Sequence, residues 1–249
     1  MKTFFTSLIM VLAASATNAE TAARLIAQGD ELDHAQKTGA ALKAYLEAEK
    51  QEPDNGALQV KLAKQLGESM ADRPSDADKR KAGDEALAHA LKAVKLAPQM
   101  SDAHLAAAIC YGKLLDLVPV RTRVEYSRLV HDSTLKAIKL DPRSDYAWHM
   151  LGRWNQAVAT MGTLTRGIVS VVYGGLPDAT LAKAKECFEK ALALKNDRVA
   201  HHIELGRTLA FMGSKAEARK QIEQGLAMPS RERDDPETKQ RGKETLKSL

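Results

Sequence analysis

Four similar helical phrases, each ending in a residue that stops a helix, divide the chain into comparable segments. Three of the phrases end at Pro53, Pro98 and Pro142, and the fourth ends at Asn196. Ala, Leu, Lys and Glu dominate these phrases and favour helix, whereas proline cannot continue one. Recurrence with a period of roughly 20 to 50 residues is typical of stacked structural units. The sequence therefore predicts an all-α solenoid built from helical hairpins.

The spacing of small and aromatic residues inside the segments resembles the tetratricopeptide repeat. The fourth segment has Trp148, Leu151, Gly152, Ala184, Phe188 and Ala191 at the positions of that pattern, with Asn155 in place of its aromatic residue. The first segment has Gly29, Ala41, Tyr45, Ala48 and Pro53 at the same spacings. Small residues allow two helices to approach closely, and the large residues fill the space between hairpins. The fold class predicted is a tetratricopeptide-like solenoid of about five repeats.

We expect a single solenoid domain over residues 20–249. The predicted repeats are about 22–55, 56–100, 101–144, 145–198 and 199–230, followed by a C-terminal capping helix at 236–249 with Asp235 as its N-cap and Pro236 as its first residue. The second, third and fourth repeats exceed the usual length of about 34 residues. The excess falls between the two helices of a hairpin, around 67–80, 117–125 and 157–177. The first insertion is charged and is predicted to be a solvated loop.

The insertion at 157–177 has helical periodicity. Its apolar residues form one stripe made of Ala157, Met161, Leu164, Ile168 and Val171. Thr160, Thr163, Arg166 and Ser170 are predicted to face away from this stripe. We expect an amphipathic helix that packs on the solenoid, with a mobile lid as the alternative, and we expect Asp178 to cap the helix that follows.

The first 19 residues have the pattern of a cleavable signal peptide. A basic residue, Lys2, precedes the apolar run from Phe4 to Ala16, and small residues stand before Glu20. The run is shorter than the roughly 20 residues that span a bilayer, so a permanent anchor is the weaker interpretation. We predict cleavage after Ala19, a secreted and periplasmic mature chain, and no transmembrane segment within it.

Two cysteines, Cys110 and Cys187, would then meet an oxidising compartment. One disulfide between them is an open alternative. Both residues lie in apolar helical surroundings, so the favoured interpretation is that they are small buried packing residues.

Seven residues are candidates for a ligand-binding groove. In the tetratricopeptide pattern, particular positions of the first helix of each repeat line the concave surface. Those positions hold Lys64, Lys113, Tyr146, His149, Arg153, Arg207 and Phe211. Arg153 and Arg207 occur in the same phrase, Leu-Gly-Arg, and two guanidinium groups beside aromatic surface suit a carboxylate or phosphate on an apolar body. The alternative is that these arginines pair with acids of neighbouring helices, such as Glu204.

The sequence contains none of the common catalytic or cofactor motifs. A nucleophile elbow, a phosphate-binding loop, a dinucleotide fingerprint and a zinc-protease motif are all absent from its 249 residues. The formal net charge of +5 permits nucleic-acid binding, but only 4% of residues are aromatic and acids follow the basic clusters. We expect no enzymatic activity, no cofactor, no metal and no nucleic-acid partner.

A closer resemblance covers roughly Ala82 to Leu249. The phrase from Leu151 to Trp154, the long insertion ending at Pro177, and the phrase from Lys136 to Pro142 are similar to the regulator of microtubule dynamics family. The resemblance implies a non-enzymatic tetratricopeptide-type domain, in a family whose eukaryotic members associate with microtubules or organelle membranes and include some linked to phospholipid binding. We predict a scaffold that binds a protein or acidic peptide. The alternative is a carrier of phospholipid or another amphiphile that uses the same groove and the insertion at 157–177.

Overall fold

The computed structural model describes the backbone of residues 3–249 and the side chains of residues 19–249. The signal peptide predicted at 1–19 lies almost wholly outside the described side chains, so it stays a prediction. Among the described residues, no helix combines the length and apolar character that crossing a membrane requires.

The described chain is all-α, as predicted, and contains no strand in that part. Its helices are α1 (Thr3–His34), α2 (Thr38–Glu49), α3 (Gly56–Ser69), α4 (Asp76–Leu96), α5 (Ser101–Leu114), α6 (Val120–Leu140), α7 (Asp145–Ala159), α8 (Thr163–Tyr173), α9 (Leu181–Leu194), α10 (Val199–Phe211), α11 (Lys215–Ala227) and α12 (Asp235–Lys247). The most extensive packing joins α1 to α2, α3 to α4, α5 to α6, α7 to α9, and α10 to α11. These pairs are the hairpins of a tetratricopeptide-like solenoid.

The helices form two compact units, residues 1–98 and 99–249. In the first unit, Tyr45 is fully buried against Leu58 and Leu62. Its ring packs so closely on Gly29 that a Cβ atom there would lie 2.3 Å from it. The Tyr45 hydroxyl donates a 2.7 Å hydrogen bond to Asp30, so this buried ring also satisfies its polar end.

The second unit contains the hairpins α5/α6, α7/α9 and α10/α11, together with α8 and α12. Close approach within two of its hairpins depends on glycine. A Cβ atom at Gly152 would lie 2.8 Å from the buried Phe188 ring, and one at Gly206 would lie 2.5 Å from Ile222. These contacts occupy the small-residue and large-residue positions of the sequence pattern, which explains why the pattern repeats in both hairpins.

The first insertion is mostly helical rather than a loop. The helix α3 continues to Ser69 and α4 begins at Asp76, capped by the Ser75 side chain, which accepts from the Asp78 backbone N–H at 3.1 Å. Only residues 71–78 are uniformly exposed. The extra residues of this repeat and the next therefore mainly lengthen their second helices, since α4 and α6 each have 21 residues.

The predicted packing of the 157–177 stripe is wrong. The first helix of this repeat, α7, ends at Ala159, and a separate helix, α8, begins at Thr163. Leu164 and Val171 of the stripe are 79% and 87% exposed, and Val169 is the buried residue of α8. The stripe faces solvent because α8 is attached at its ends: Arg166 donates to the Val158 carbonyl at 2.7 Å, and Arg128 of α6 donates to the carbonyls of Tyr173 and Gly175.

Two helix caps also differ from the prediction. The N-cap of α9 is Thr180, whose hydroxyl accepts from the Lys183 backbone N–H at 3.1 Å, and Asp178 lies two residues earlier. The helix α12 begins at Asp235 rather than after it. The Asp235 carboxylate accepts instead from the backbone N–H groups of Arg231 and Glu232, at 2.7 and 2.8 Å, so it closes the preceding loop.

Candidate binding face around Glu204

Three arginines of the second unit surround one buried carboxylate. Glu204 has 0% of its side chain exposed. Arg207 Nη1 lies 2.7 Å from Glu204 Oε2, while Arg153 Nη1 and Arg241 Nη2 each lie 3.4 Å from Oε1. We call these four residues the Glu204 cluster. One negative charge faces three positive charges, so the cluster carries an excess of positive charge.

Three different helices build the Glu204 cluster. Arg207 stands three residues after Glu204 on α10, where side chains share a face. Arg153 comes from α7 of the preceding hairpin. Arg241 comes from α12, which packs closely on α10 because Gly242 has no side chain; a Cβ atom there would lie 2.8 Å from Ile203. The cluster therefore links α7 and α12 to α10.

The three arginines differ in their access to solvent. The Arg153 side chain is 43% exposed, whereas Arg207 and Arg241 are mostly buried. Arg241 also contacts the exposed carboxylate of Glu237 at 2.6 Å and Thr238 Oγ1 at 3.0 Å. Arg153 makes one long contact with Glu204, so most of its five donors remain available. It is the arginine of the cluster best placed to meet a ligand.

A line of buried polar groups runs beside the Glu204 cluster between α7 and α10. His201 Nε2 lies 2.9 Å from Asp145 Oδ2, and His201 Nδ1 lies 3.0 Å from His149 Nδ1. Because the carboxylate accepts the Nε2–H of His201, the neutral His201 ring presents an acceptor at Nδ1, to which His149 donates. Tyr146 stacks on His149 with ring centroids 5.3 Å apart.

Burial sets the protonation of this line. It lowers the pKa of His149 well below its ordinary value, and the charges of His201 and Arg153 act in the same direction. Burial also lowers the pKa of His201, although the hydrogen bond to Asp145 opposes this. For Asp145, burial would raise the pKa, but the His201 hydrogen bond and the charge of Arg198 keep it below the ordinary value. Both imidazoles are therefore neutral at neutral pH. Among the described residues, no group of three His, Cys, Asp or Glu side chains is arranged to hold a metal ion.

The seven predicted groove residues fall into different settings. Lys64 belongs to the first unit and pairs with Asp33 at 2.6 Å. The other six belong to the second unit, where Lys113 and Phe211 are exposed, Tyr146 is half-buried and His149 is buried. The side chain of His149 thus lies behind the surface rather than on it. Arg153 and Arg207 meet at Glu204, as the alternative interpretation expected.

Sequence reasoning missed Arg241. It lies in a polar C-terminal run, which composition alone indicates to be a solvated cap. The available signal was Gly242, since a glycine inside a helix favours close packing against a neighbour. Close packing at Gly242 brings its neighbour, Arg241, close to α10.

Both cysteines are free and buried. Burial raises the pKa of Cys110 to about 12 and that of Cys187 to about 11. Such thiols are protonated at neutral pH and unreactive. This agrees with the interpretation of both residues as packing residues.

Comparisons with known proteins agree with this architecture. The chain is similar to a thermophilic TPR protein of Thermus thermophilus, with a TM-score of 0.64 and 18% identity over 90% of this chain and 98% of that one. It is also similar to pilF of Pseudomonas aeruginosa, with a TM-score of 0.55 and 17% identity over 93% of this chain and 90% of that one. At these identities the likeness shows the fold alone. The chain has the fold of tetratricopeptide-repeat proteins.

Its family follows from the sequence comparisons. The family model described as regulator of microtubule dynamics protein 1-3 matches residues 25–249, and the chain belongs to that family. Regulator of microtubule dynamics protein 1 of Mus musculus is 27% identical over 161 residues, which is 64% of this chain and 53% of that protein. The Caenorhabditis elegans protein of the same name is 24% identical over 147 residues, 59% of this chain and 65% of that one. The chain therefore spans about half to two thirds of the length of these relatives.

Proposed function

We propose that this chain is a non-enzymatic scaffold that binds an acidic segment of a protein partner at the Glu204 cluster. The observation that carries the proposal is the gathering of three guanidinium groups around a single buried carboxylate. Tetratricopeptide folds typically support protein–protein interaction rather than catalysis. A carboxylate arriving from solvent would offset the excess positive charge and accept charge-assisted hydrogen bonds from Arg153.

Apolar surface near the cluster supports a mixed acidic and aromatic ligand. Phe211 stands four residues after Arg207 on α10, so the two share a face of the helix. Its side chain is about half exposed. A partner segment that places a carboxylate at Arg153 would have an apolar neighbour in contact with Phe211.

The test compares Arg153→Gln with Arg219→Gln. Arg219 is an exposed residue of α11 outside the cluster, so it controls for the general loss of one positive charge. The probe is a fluorescent peptide of alternating Glu and Phe, and its affinity is measured by anisotropy at low and high salt. We expect Arg153→Gln to weaken binding about 10-fold, because a charge-assisted hydrogen bond contributes roughly 1.5–3 kcal/mol. Equal weakening by the two variants would contradict the proposal.

Carriage of a phospholipid or other amphiphile is the second candidate. The outward apolar face of α8, with Leu164 and Val171, favours it, because that face has no covering element among the described residues. Native mass spectrometry of the gently purified chain distinguishes the two candidates. Release of a bound amphiphile on denaturation would support the carrier, and an empty chain that binds the acidic peptide would support the scaffold.

We also propose that the chain is exported to the periplasm with its first 19 residues removed. The basic start, short apolar run and small residues before Glu20 support this. N-terminal sequencing of the cellular protein should begin at Glu20. An intact Met1 on the recovered protein would refute export by this route.

A further inference from the structure

The exposed apolar side chains of the second unit are concentrated at one edge. Nine of its large apolar side chains are more than a third exposed, and two of these, Leu135 and Leu194, lie elsewhere. The other seven lie where the first helix of a hairpin connects to its second helix. They are Val120, Leu164, Ile168, Val171, Val172, Phe211 and Met212. We call the connecting segments 115–128, 157–177 and 211–214 the connecting edge.

The packing of the helices brings these connections together. Gln156, near the end of α7, donates to Thr208 Oγ1, near the end of α10, at 2.9 Å. Trp154, also near the end of α7, donates to the Ser127 carbonyl in the first half of α6 at 2.8 Å. The start of α6 and the ends of α7 and α10 therefore lie on the same side of the second unit. The seven exposed apolar side chains share that side.

The helix α8 supplies four of the seven. Successive residues of a helix are separated by about 100° around its axis, so residues 164, 168, 171 and 172 fall within an arc of about 100°. Val169 lies on the opposite side of α8 and is buried. Leu164 and Val171 are 79% and 87% exposed, so they project from the surface instead of lining a groove.

The charges of the connecting edge are predominantly positive and are not neutralised within the fold. The three segments contain four arginines and two acids, and no acid lies in 157–177. Arg123, Arg128 and Arg166 donate to main-chain carbonyls, which are neutral. Arg121 is exposed. Among the described residues, none of these arginines pairs with a carboxylate.

This combination indicates the chemistry of the partner. Projecting aliphatic side chains beside unneutralised arginines are typical of helices that lie in the boundary between lipid headgroups and acyl chains. Lipids rearrange around projecting side chains, whereas a protein partner would need a groove shaped to receive them. Anionic headgroups would supply the negative charges that the four arginines lack.

We propose that the connecting edge docks on the surface of an anionic lipid bilayer. The apolar face of α8 enters the boundary between headgroups and acyl chains, while Arg121 and its neighbours contact the headgroups. Docking of this kind is peripheral, and no lipid leaves the bilayer, which distinguishes it from carriage of an amphiphile. The proposal does not depend on the Glu204 cluster.

The first test measures co-sedimentation of the protein purified from the cell with vesicles of phosphatidylglycerol and phosphatidylcholine. It compares the double variant Leu164→Gln with Val171→Gln against the control double variant Leu135→Gln with Leu194→Gln, which changes two exposed leucines outside the edge. All four positions are exposed, so folding should be retained, and circular dichroism checks this. We expect the first variant to bind about 10-fold more weakly or less, because two apolar side chains no longer enter the bilayer. The control should bind within about 2-fold of wild type.

The second test concerns the arginines. Arg121→Gln should weaken binding to these vesicles about 5-fold, since one basic residue at an anionic surface contributes about that factor. The control is Arg143→Gln, because Arg143 is exposed in the connection between α6 and α7, at the opposite side of the unit. It should have little effect. Vesicles of phosphatidylcholine alone should bind wild type more weakly and should not distinguish the two arginine variants.

A fluorescent label distinguishes insertion of α8 from adsorption by charge alone. Bimane attached through Val171→Cys should shift its emission to the blue when anionic vesicles are added, and bimane attached through Leu194→Cys should not. The label is specific because both native cysteines are buried. Absence of wild-type binding, equal weakening by the two double variants, or an unshifted label at position 171 would each overturn the proposal. Protein that stays in solution and removes lipid from the vesicles would also overturn it and would support carriage.

Discussion

Two faces of α7 meet their neighbours in different ways. On one face, Asp145, His149 and Arg153 all pair with residues of α10. On the other, Trp148 and Asn155 line a pocket, and Asn155 Oδ1 has no partner. Arg153 and Asn155 are two residues apart, so they point about 200° away from each other around the helix axis. The same helix therefore has one face whose polar side chains pair with α10 and another face that borders a pocket and has an unpaired acceptor.

The contrast shows that the two faces of α7 contribute to stability in different ways. The paired face joins consecutive hairpins, and its buried carboxylates and imidazoles tolerate burial because Asp145, His149, His201 and Glu204 each have a partner. The face with the pocket normally gains stability by filling volume with a large side chain. Asn155 fills less volume than the leucine or tyrosine found at the equivalent positions, and its Oδ1 is an unpaired acceptor. We infer that the first face maintains the hairpin junction.

The largest expected effect comes from breaking the paired face at Glu204. The change Glu204→Gln removes the carboxylate that Arg153, Arg207 and Arg241 share, and loss of one partner of a buried ion pair costs about 3–5 kcal/mol. Chemical denaturation should show a fall of that size in the free energy of unfolding. The control is Glu237→Gln, which also removes a partner of Arg241 but is largely exposed, and it should cost about 0.5 kcal/mol or less. Equal losses in the two variants would show that the Glu204 cluster contributes no special stability.

Acid should lower the free energy of unfolding through the histidines of the same face, by a smaller amount than Glu204→Gln does. The lowered pKa values of His149 and His201 mean that the unfolded chain binds protons more readily below its histidine pKa of about 6.5. The contribution is fully present above that pH and is lost as the pH falls. A histidine that stays neutral in the folded chain lowers the free energy of unfolding by about 1.4 kcal/mol per pH unit, so we expect His149 alone to account for a loss of about 2 kcal/mol between pH 6.5 and 5.

The structure also indicates where this acid sensitivity arises. Protonation of His201 would place two N–H groups opposite each other at the contact with His149. The charged groups around this pair are Asp145, Arg153, Arg198 and Arg241. His149→Gln keeps a donor but does not titrate, so its unfolding free energy should depend less steeply on pH. An unchanged slope would assign the acid sensitivity to other residues.

The smallest effect on stability should come from an apolar replacement of Asn155, on the face of α7 that borders the pocket. Asn155→Leu removes a buried unpaired acceptor and supplies the residue found at the equivalent positions in α3 and α10. We expect stabilisation by about 1 kcal/mol, seen as a rise in the melting temperature. Gln156→Leu is the contrasting variant, since the Gln156 amide donates to Thr208 Oγ1 at 2.9 Å. It should be destabilising, and stabilisation by both changes would remove the distinction between the two faces.

Much of the fold could be predicted from the sequence because its signals are local. Helix-stopping residues at Pro53, Pro98 and Pro142 act on their own backbone, and glycines at Gly152 and Gly206 mark the helix contacts. The candidate site was less predictable. The Arg153 and Arg207 pairing with Glu204 was one of two interpretations, since a repeat pattern does not specify whether a basic side chain meets solvent or a neighbour's acid.

The helix α8 shows why periodicity can mislead. The stripe containing Leu164, Ile168 and Val171 is regular, and it predicted the face that would be buried. In the structure, Arg128 and Arg166 bond to main-chain carbonyls at the ends of α7 and α8. These contacts orient α8 with Val169 inward. A stripe identifies an apolar face, but it does not determine which way the helix is turned.

The sequence by itself determined the all-α class, the hairpin repeat and the family resemblance, because these depend on residues a few positions apart along one chain. The tertiary structure decided which distant groups meet. It brought Arg241 to Glu204, aligned His149 with His201 and Asp145, and left a pocket beside Asn155. The physical reason is that burial and pairing depend on the packing of several helices at once, and a local pattern does not specify that packing.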